Sequence, residues 1–211
     1  MTSDAKCKKC RRAGEKLYLK GEKCFTPKCP FIERPYPPGI RDNERKHRTN
    51  KSEYSEQLKE KQKIRNIYGL SEKQFGNYVE NIKSVSVKHK TNEGQALVMQ
   101  LEERLDNTVF RMGLASSRSL ARQLVSHGHI VVNDKKVDVP SLRVTVGDEI
   151  AVREGSRTLK VFTAIADKLK DHKLVSWMTV DPVKMSAKIT AHPFETDHAL
   201  DIQKVLEFYS R

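Results

Sequence analysis

All four cysteines of this chain fall within one 23-residue segment, CKKCRRAGEKLYLKGEKCFTPKC, which begins at Cys7. They form two close pairs, Cys7 with Cys10 and Cys24 with Cys29, and 13 residues separate the pairs. The first 34 residues contain few large apolar side chains: Leu17, Tyr18, Leu19, Phe25, Phe31 and Ile32. Because so few apolar groups cannot offset the conformational entropy that folding removes, this segment needs a cross-link in place of a core.

The spacing of the two cysteine pairs predicts a tetrahedral Zn²⁺ site with four thiolate ligands. Zinc binding to small modules of this kind contributes about 10 to 16 kcal/mol in apparent terms, which is enough to replace a core. The segment contains no histidine, and its four cysteines complete a tetrahedral set without a carboxylate, which favours a closed structural site. We expect the surrounding lysines and arginines to lower the thiol pKa values. An iron–sulfur cluster uses the same ligands and stays an alternative, as does a set of free or disulfide-bonded cysteines.

The charge of the chain is strongly positive and unevenly distributed. Lysine and arginine number 40 against 27 acidic residues, a net charge of +13. Residues 1–50 carry 14 basic and 6 acidic side chains, whereas residues 101–155 carry 8 of each. Such a field attracts polyanions and predicts a salt-sensitive complex with nucleic acid. In the cysteine segment the candidate phosphate contacts are Lys8, Lys9, Arg11 and Arg12.

Two further features bear on location. No apolar run approaches the roughly 20 residues that span a bilayer, and the N-terminus lacks the apolar stretch of a secretory signal. We therefore expect a cytoplasmic chain without a membrane partner, in a compartment where structural disulfides are disfavoured.

The first half of the chain is predicted to be helical after its proline-rich arm. Residues 52–69 have a helical pattern with Gly69 as the stop, and Ser71 with Gln74 forms a capping box for the next helix. A third helix is predicted to run without interruption from Asn92 to Gly113, with Asn92 and Gln95 as its capping box and leucines along one side.

The second half is predicted to contain shorter elements. A helix capped by Ser116 or Ser117 ends at Gly128, and the chain then turns in a hairpin at Asn133–Asp134. A second hairpin is expected at Gly147–Asp148, followed by a strand-like TLKVFTAI at 158–165. The segment HALDIQKVLEFYSR at the end of the chain predicts a final helix.

Arginines recur at helical spacing in the middle of the chain. Arg104 and Arg111 are seven residues apart, and Arg118 and Arg122 are four apart, so each pair lies on one helical face, opposite the leucines. Guanidinium groups match phosphate oxygens, and the helix start at Ser117 offers free backbone N–H groups. Polar residues extend this surface beside the hairpin: His127, His129, Asn133, Lys135 and Lys136. The alternative is a solvated face on which Glu102, Glu103 and Asp106 neutralise the arginines.

Four stretches of the chain resemble a known family. LEERLDNTVFRMGLASSRSLARQLVSHGHIVVNDKKVDVPS, residues 101–141, resembles the RNA-binding motif of the S4 family. LKGEKCFTPKC with RPYPPG, QLKEKQKIRNIYGLSEKQF and the closing VLEFYSR resemble, in the same order, the zinc-binding type of bacterial S4 protein of the small (30S) ribosomal subunit.

The resemblance implies a primary assembly protein that binds a helix junction in the 5′ domain of 16S ribosomal RNA. It further implies nucleation of body assembly and support for translation and its accuracy near the mRNA entry channel. The implied partners are 16S ribosomal RNA, ribosomal protein S5 and other small-subunit proteins, and mRNA, with the chain a monomer within the ribosome. RNA contacts carry over onto Arg104, Arg111, Arg118 and Arg122 and onto Arg45, Lys46, Arg48 and Lys51, and zinc ligands carry over onto the four cysteines.

Two other functions compete with this one. Arg104-Leu105-Asp106 matches the tripeptide that carries the catalytic aspartate of pseudouridine synthases, but 211 residues leave no room for a catalytic domain. We therefore predict that the chain is not an enzyme, and a stand-alone RNA-binding regulator remains the other alternative. The chain departs from the family pattern at two places. Asn133-Asp134 replaces Asn-Gly at the hairpin, and Gly39-Ile40-Arg41-Asp42 replaces Gly-Gln-His-Gly after the prolines.

These patterns predict an α+β fold: a mostly helical body, a basic zinc-bearing arm and an inserted helix-helix-β-hairpin RNA-binding domain. The predicted domains are the arm at 1–50, a helical body at 51–100 completed by 177–211, and the S4-type domain at 101–176.

Overall fold

The structure, a computed structural model, describes residues 6–39, 52–159, 161–162, 175–194 and 200–210. It combines helices with an antiparallel sheet, so the predicted α+β class is right. Two compact units form, one from Met1–Ile82 with Asp197–Arg211 and the other from Lys83–Thr196. Residues 83–100 and 177–196, which the predicted domains assign to the helical body, lie in the second unit. Within the described residues, no helix is both long and apolar enough to cross a membrane.

The cysteine segment of the first unit folds into three short helical pieces. These are α1 (Lys6–Ala13), a 3-10 turn (Gly21–Cys24) and α2 (Pro30–Glu33). Gly14 ends α1 with a φ of +74°, and its N–H donates to the carbonyl of Cys10 at 3.0 Å. Glycine adopts this left-handed conformation without steric cost, which lets the chain reverse direction.

Three longer helices complete the first unit: α3 (Glu53–Tyr68), α4 (Glu72–Glu80) and α9 (Ile202–Tyr209). The predicted ends are confirmed, since Ser52 caps α3 and Gly69 follows it with a φ of +64°. The Ser71–Gln74 capping box is also present. The C-terminal helix α9 packs against α3, so the two chain segments that make up this unit are in contact.

A polar cluster joins α3, α4 and α9. The Lys61 ammonium pairs with Glu72 and lies 4.4 Å from the Phe208 ring centre. The Tyr209 hydroxyl donates to the same carboxylate at 3.3 Å. Burial, with the charge of Glu72, raises the pKa of Tyr209 to about 12. The phenol therefore stays protonated and keeps its role as donor.

The second unit begins at the second residue of α5 (Ile82–His89), and α6 (Glu93–Glu102), α7 (Leu105–Arg111) and α8 (Arg118–Ser126) follow. Asn92 and Gln95 form the predicted capping box of α6, and Ser117 caps α8. The prediction of one uninterrupted helix from Asn92 to Gly113 is wrong. Arg104 has extended backbone, with φ −67° and ψ 137°, and divides that segment into α6 and α7.

Backbone contacts with the segment 140–144 explain this break. Leu105 N–H donates to the Leu142 carbonyl at 2.8 Å, and Asp106 N–H donates to the Pro140 carbonyl at 3.1 Å. Arg104 also forms an isolated antiparallel bridge with Arg143. The first N–H groups of α7 are thereby satisfied, as every buried helix start requires. The apolar periodicity of the sequence continues through the break and could not reveal it.

The sheet has the strand order β2-β1-β3-β5-β4 and is antiparallel throughout. Its strands are β1 (Ile130–Val132), β2 (Lys135–Val137), β3 (Glu149–Val152), β4 (Met178–Asp181) and β5 (Ser186–Ile189). The predicted hairpin at Asn133–Asp134 is confirmed, with φ values of +49° and +63°.

Two strand predictions are wrong. Residues 145–148 form a turn before β3, but β3 pairs with β1 and β5 and not with the segment that precedes this turn. In the strand-like segment 158–165, the described residues Val161 and Phe162 have helical backbone, and residues 160 and 163–165 lie outside the described part of the chain. Phe162 is nevertheless fully buried, so its hydrophobicity reports the core and not the type of element.

The apolar core of the second unit lies between the α7–α8 pair and the sheet. It includes Leu105, Val109, Met112, Leu124, Val125, Ile130, Ile150, Phe162, Trp177 and Ile189. Burial of these side chains is the main favourable term for this unit, and it holds the ends of α8 and β1 next to one another.

The left-handed conformation of Asp134 predicts an unusual ranking of substitutions. At this site Asp134→Gly should exceed Asp134→Ala in unfolding free energy by about 1 kcal/mol, because a Cβ is disfavoured at positive φ. At the exposed helical position 123 the order should reverse, with Gln123→Ala more stable than Gln123→Gly by about 1 kcal/mol. Urea denaturation of the four variants measures both differences. The same order at both positions would contradict the turn.

Candidate nucleic-acid interface

The arginines predicted to face RNA are held in ion pairs around two buried carboxylates. Asp106 receives two bonds from Arg104, Nε to Oδ1 at 3.0 Å and Nη2 to Oδ2 at 2.9 Å. Arg122 adds bonds from Nε and Nη2 to Oδ2 at 2.8 and 2.6 Å. Asp106 is only 3% exposed, so these cations neutralise a charge that would otherwise be costly to bury.

Glu102, which is fully buried, organises the second pair of arginines. Arg111 Nε donates to its Oε2 at 2.6 Å, and Asn107 Nδ2 donates to the same oxygen at 2.8 Å. Arg118 donates from Nε to Asn107 Oδ1 at 2.8 Å and lies 4.5 Å from the Phe110 ring centre. Its Nη2 is 3.9 Å from Glu102 Oε1, which links the start of α8 to the end of α6.

The four arginines therefore differ in what they can offer a ligand. Arg104 and Arg111 are each 4% exposed, whereas Arg118 and Arg122 are partly exposed at the edge of the network. The sequence suggested either an arginine face open to solvent or a solvated face neutralised by acids. The structure matches neither arrangement, because the acidic partners are buried. A role of these arginines in binding RNA stays a prediction, and their position makes Arg118 and Arg122 the more accessible pair.

The hairpin side of the second unit presents accessible polar and basic groups. His127, Asn133, Lys135 and Lys136 are exposed. A Cβ on Gly128 would overlap Lys136 Cε, so the absence of a side chain there leaves room for the lysine. Two lysines on an exposed strand beside a histidine can neutralise and hydrogen-bond phosphate groups.

Three of the predicted contacts, the exposed Asn133 among them, have internal partners. His129 Nδ1 lies 3.0 Å from Ser156 Oγ, and burial, with the charges of His127 and Arg153, lowers the pKa of its imidazole. Asn133 Nδ2 donates to Asp148 Oδ1 at 2.8 Å. Ser117 is buried, and its hydroxyl accepts the Leu120 N–H at 3.4 Å as the cap of α8.

Arg143 and His192 were not among the predicted residues, although they surround a third buried acid. Arg143 Nε donates to Glu103, and His192 Nδ1 lies 2.8 Å from the other oxygen of that carboxylate. The Arg143 side chain is 40% exposed. No local pattern could have identified these partners, because they lie 40 and 89 residues from Glu103 in the chain.

Basic residues of α1 form the second group of predicted contacts. Lys8 and Arg12 are exposed, and Lys9 and Arg11 are half-buried. Arg11 Nε donates to the Tyr36 carbonyl at 2.9 Å, and its guanidinium lies 4.9 Å from the Tyr36 ring centre. Arg11 therefore fastens the proline-rich segment to α1. The remaining predicted contacts, Arg45, Lys46, Arg48 and Lys51, lie outside the described residues.

The four cysteines line one small cavity of the first unit. They are not disulfide-bonded, and Cys10, Cys24 and Cys29 are buried. Lys20 N–H donates to Cys24 Sγ at 3.4 Å. Burial raises the pKa of the Cys10 thiol, and the charges of the other three cysteines raise it further. A hydrogen bond from the Leu17 backbone lowers this pKa but does not reverse the shift. The expected lowering of thiol pKa values refers to cysteines that hold a metal ion, and it stays a prediction.

Four thiols on one cavity, with backbone N–H groups directed at two of the sulfurs, match the chemistry of a thiolate-bound metal. Across the described part of the chain, however, no three His, Cys, Asp or Glu side chains come together closely enough to hold an ion. The residue types and the shared cavity therefore fit the predicted zinc site. The four sulfurs, however, do not stand in the geometry of a bound ion.

Two family models match the chain. The Ribosomal protein S4/S9 N-terminal domain covers residues 2–103, and the S4 domain covers residues 103–150. "Small ribosomal subunit protein uS4" of Thermus thermophilus is 48% identical over 207 residues, 97% of this chain and 96% of that protein. The proteins of the same name from Fervidobacterium nodosum and Syntrophomonas wolfei are 45% and 43% identical, and the alignments cover at least 96% of every chain.

The buried network makes Asp106 a determinant of stability. Asp106→Asn should lower the unfolding free energy by about 3 to 5 kcal/mol, because it leaves two guanidinium groups without their carboxylate. Glu149→Gln, the same chemical change at an exposed site of the same unit, should alter it by less than about 0.5 kcal/mol. Urea unfolding followed by circular dichroism gives both values, and equal effects would contradict the network.

Proposed function

The chain belongs to the ribosomal protein uS4 family, and we propose that it is a primary RNA-binding assembly protein of the small ribosomal subunit. Membership makes it a structural constituent of that subunit, in the cytoplasmic ribosome, and an S4 domain implies binding to ribosomal RNA. The proposal adds a site, a helix junction in the 5′ domain of 16S ribosomal RNA, and a role in nucleating assembly of the body. The single observation behind it is the match of both family models across residues 2–150.

Charge and exposure support the proposed RNA contacts. In the second unit we assign them to Lys135 and Lys136 on β2, to the exposed His127, and to the accessible edges of Arg118 and Arg122. In the first unit we assign them to Lys8, Lys9 and Arg12, with Arg11 orienting the segment. Electrostatic attraction to phosphate carries most of the affinity of such surfaces, and their shape supplies the register on the RNA.

The same proposal includes ribosomal protein S5, neighbouring small-subunit proteins and mRNA as partners, with support for accuracy near the mRNA entry channel. It assigns Arg45, Lys46, Arg48 and Lys51 to that channel through the family resemblance alone. A net charge of +13 supports contact with several RNA segments at once.

We also propose that Cys7, Cys10, Cys24 and Cys29 hold a structural Zn²⁺. The ion would supply a cross-link between α1, the 3-10 turn and the start of α2. Burial of three of the thiols and the N–H donors at Cys10 and Cys24 support this assignment. Without such a link, the exposed lysines of this segment would have little apolar packing to orient them.

The prediction that the chain is not an enzyme is confirmed by its family, since the relatives are ribosomal proteins. The carboxylate that suggested a pseudouridine synthase, that of Asp106, is buried and bound by two guanidinium groups. A base cannot reach it without unfolding of this network. The regulator alternative has no observation in its favour.

Replacing the hairpin lysines tests the RNA surface. Lys135→Gln with Lys136→Gln should weaken binding to a 16S 5′-domain transcript and should lower the slope of log K against log salt by about 0.7 to 0.9 for each phosphate that is no longer neutralised. Lys184→Gln, at the exposed turn between β4 and β5, is the matched control. Filter binding across a salt series gives the slopes, and an unchanged slope in the double variant would remove both lysines from the interface.

Metal analysis tests the cysteine site. Protein purified without added zinc should contain about one Zn²⁺ per chain, and Cys7→Ser with Cys10→Ser should lose it. Because the second unit has its own core, limited proteolysis of the variant should cut residues 1–39 faster and leave the S4 domain intact. A metal-free wild type whose segment resists proteolysis equally well would contradict the zinc proposal.

A further inference from the structure

An exposed pair of aromatic rings stands in the cysteine segment. Tyr18 and Phe25 stack with 5.0 Å between ring centres and an interplanar angle of 25°. Phe25 is 72% exposed, more than any other aromatic side chain in the described part of the chain, and Tyr18 is 40% exposed. Single exposed apolar residues are ordinary on protein surfaces, but two stacked rings that both face solvent are a distinct feature.

The backbone holds the Tyr18 ring in place at a steric cost. Its φ is +49°, a left-handed conformation that is uncommon for a bulky residue. A tight turn maintains it, with Gly21 N–H donating to the Tyr18 carbonyl at 3.2 Å, and Tyr18 also lines the cysteine cavity. Strained residues of this type concentrate at functional sites.

The chemistry around the rings indicates what covers them. Lys20, Lys23 and Lys28 are exposed in the same loop, and Glu22 is its only acidic residue. Lysine is depleted at the centre of protein–protein interfaces, whereas aromatic rings flanked by cations are typical of surfaces that bind single-stranded nucleic acid. The cations attract the phosphates and the ring faces accept a base.

We propose that Tyr18 and Phe25 form a stacking platform for one unpaired base of the ribosomal RNA. The outer face of Phe25 receives the base, Tyr18 supports Phe25 from the inner side, and the lysines contact the adjacent phosphates. This inference rests on the proposed function and adds a base contact that does not depend on the arginines and lysines of the S4 domain.

Variants at Phe25 test the platform in the full-length chain. Phe25→Ala should weaken binding to the 16S 5′-domain transcript by about 5-fold to 140-fold, the range that base–aromatic stacking covers. The salt slope should stay unchanged, because the variant keeps every lysine and arginine that neutralises a phosphate. Phe25→Leu should lose most of the same affinity although it keeps an apolar side chain, and Phe25→Tyr should retain it. Val183→Ala, which shortens the 90% exposed valine of the other unit, should have no effect.

Fluorescence gives a direct signal of stacking. The chain contains one tryptophan, Trp177, which is buried, so wild type supplies the background. Phe25→Trp should bind the transcript as wild type does, and its additional emission should be quenched on binding.

The outcomes separate this inference from the proposed function. A wild type that does not prefer the transcript over mixed RNA of equal length would overturn the proposed function itself. The platform alone would be overturned by a second result, in which wild type does prefer the transcript. In that result Phe25→Ala and Phe25→Leu bind as tightly as wild type, and binding does not quench the emission of Phe25→Trp. If those two variants bind RNA normally but fail to assemble with small-subunit proteins, the rings contact protein and the inference is wrong.

Discussion

The carboxylates of Glu102 and Asp106 are almost completely removed from water, and the helix pair of the second unit is arranged around them. A buried carboxylate is costly unless cations and N–H donors surround it closely. Here Arg104 and Arg122 meet Asp106, and Arg111 and Asn107 meet Glu102. Because these partners come from the end of α6, from α7 and from α8, satisfying the two charges also fixes how the three segments lie together.

This constraint changes which cations are available to a ligand. Arg104 and Arg111 direct their charge to the interior of the unit, and Arg118 and Arg122 share theirs between the network and the solvent. Among the predicted RNA contacts, the exposed cations therefore include the lysines of the hairpin and Lys8 and Arg12 of α1. Arginines fixed by buried carboxylates and lysines exposed on a strand combine a defined shape with adaptable phosphate contacts, which suits recognition of a folded RNA.

The first unit meets a different problem, since its cysteine segment has little to bury. The contacts that order the segment include the thiol-lined cavity, the buried Leu17, one stacked aromatic pair, the Arg11–Tyr36 contact and the ion pair of Glu15 with Lys63 of α3. The proposed zinc site and the proposed stacking platform meet at Tyr18, which lines the cavity and supports Phe25. Ordering of the thiols and presentation of the rings are thus coupled within one loop.

The sequence alone determined the features that depend on neighbouring residues. The caps at Ser52, Ser71, Asn92 and Ser117, the stop at Gly69 and the turn at Asn133–Asp134 follow from local hydrogen bonds and from the few residues that tolerate positive φ. The family also followed, because its motifs are contiguous. Only the tertiary structure decided the break at Arg104, the β4–β5 part of the sheet and the pairing of Arg143 with Glu103. Each depends on groups that come together from distant parts of the chain. At the start of α7, for example, the carbonyls of Pro140 and Leu142 accept the first N–H groups of the helix. Helical periodicity cannot report such partners, and for that reason the arginine face predicted for solvent is largely an interior one.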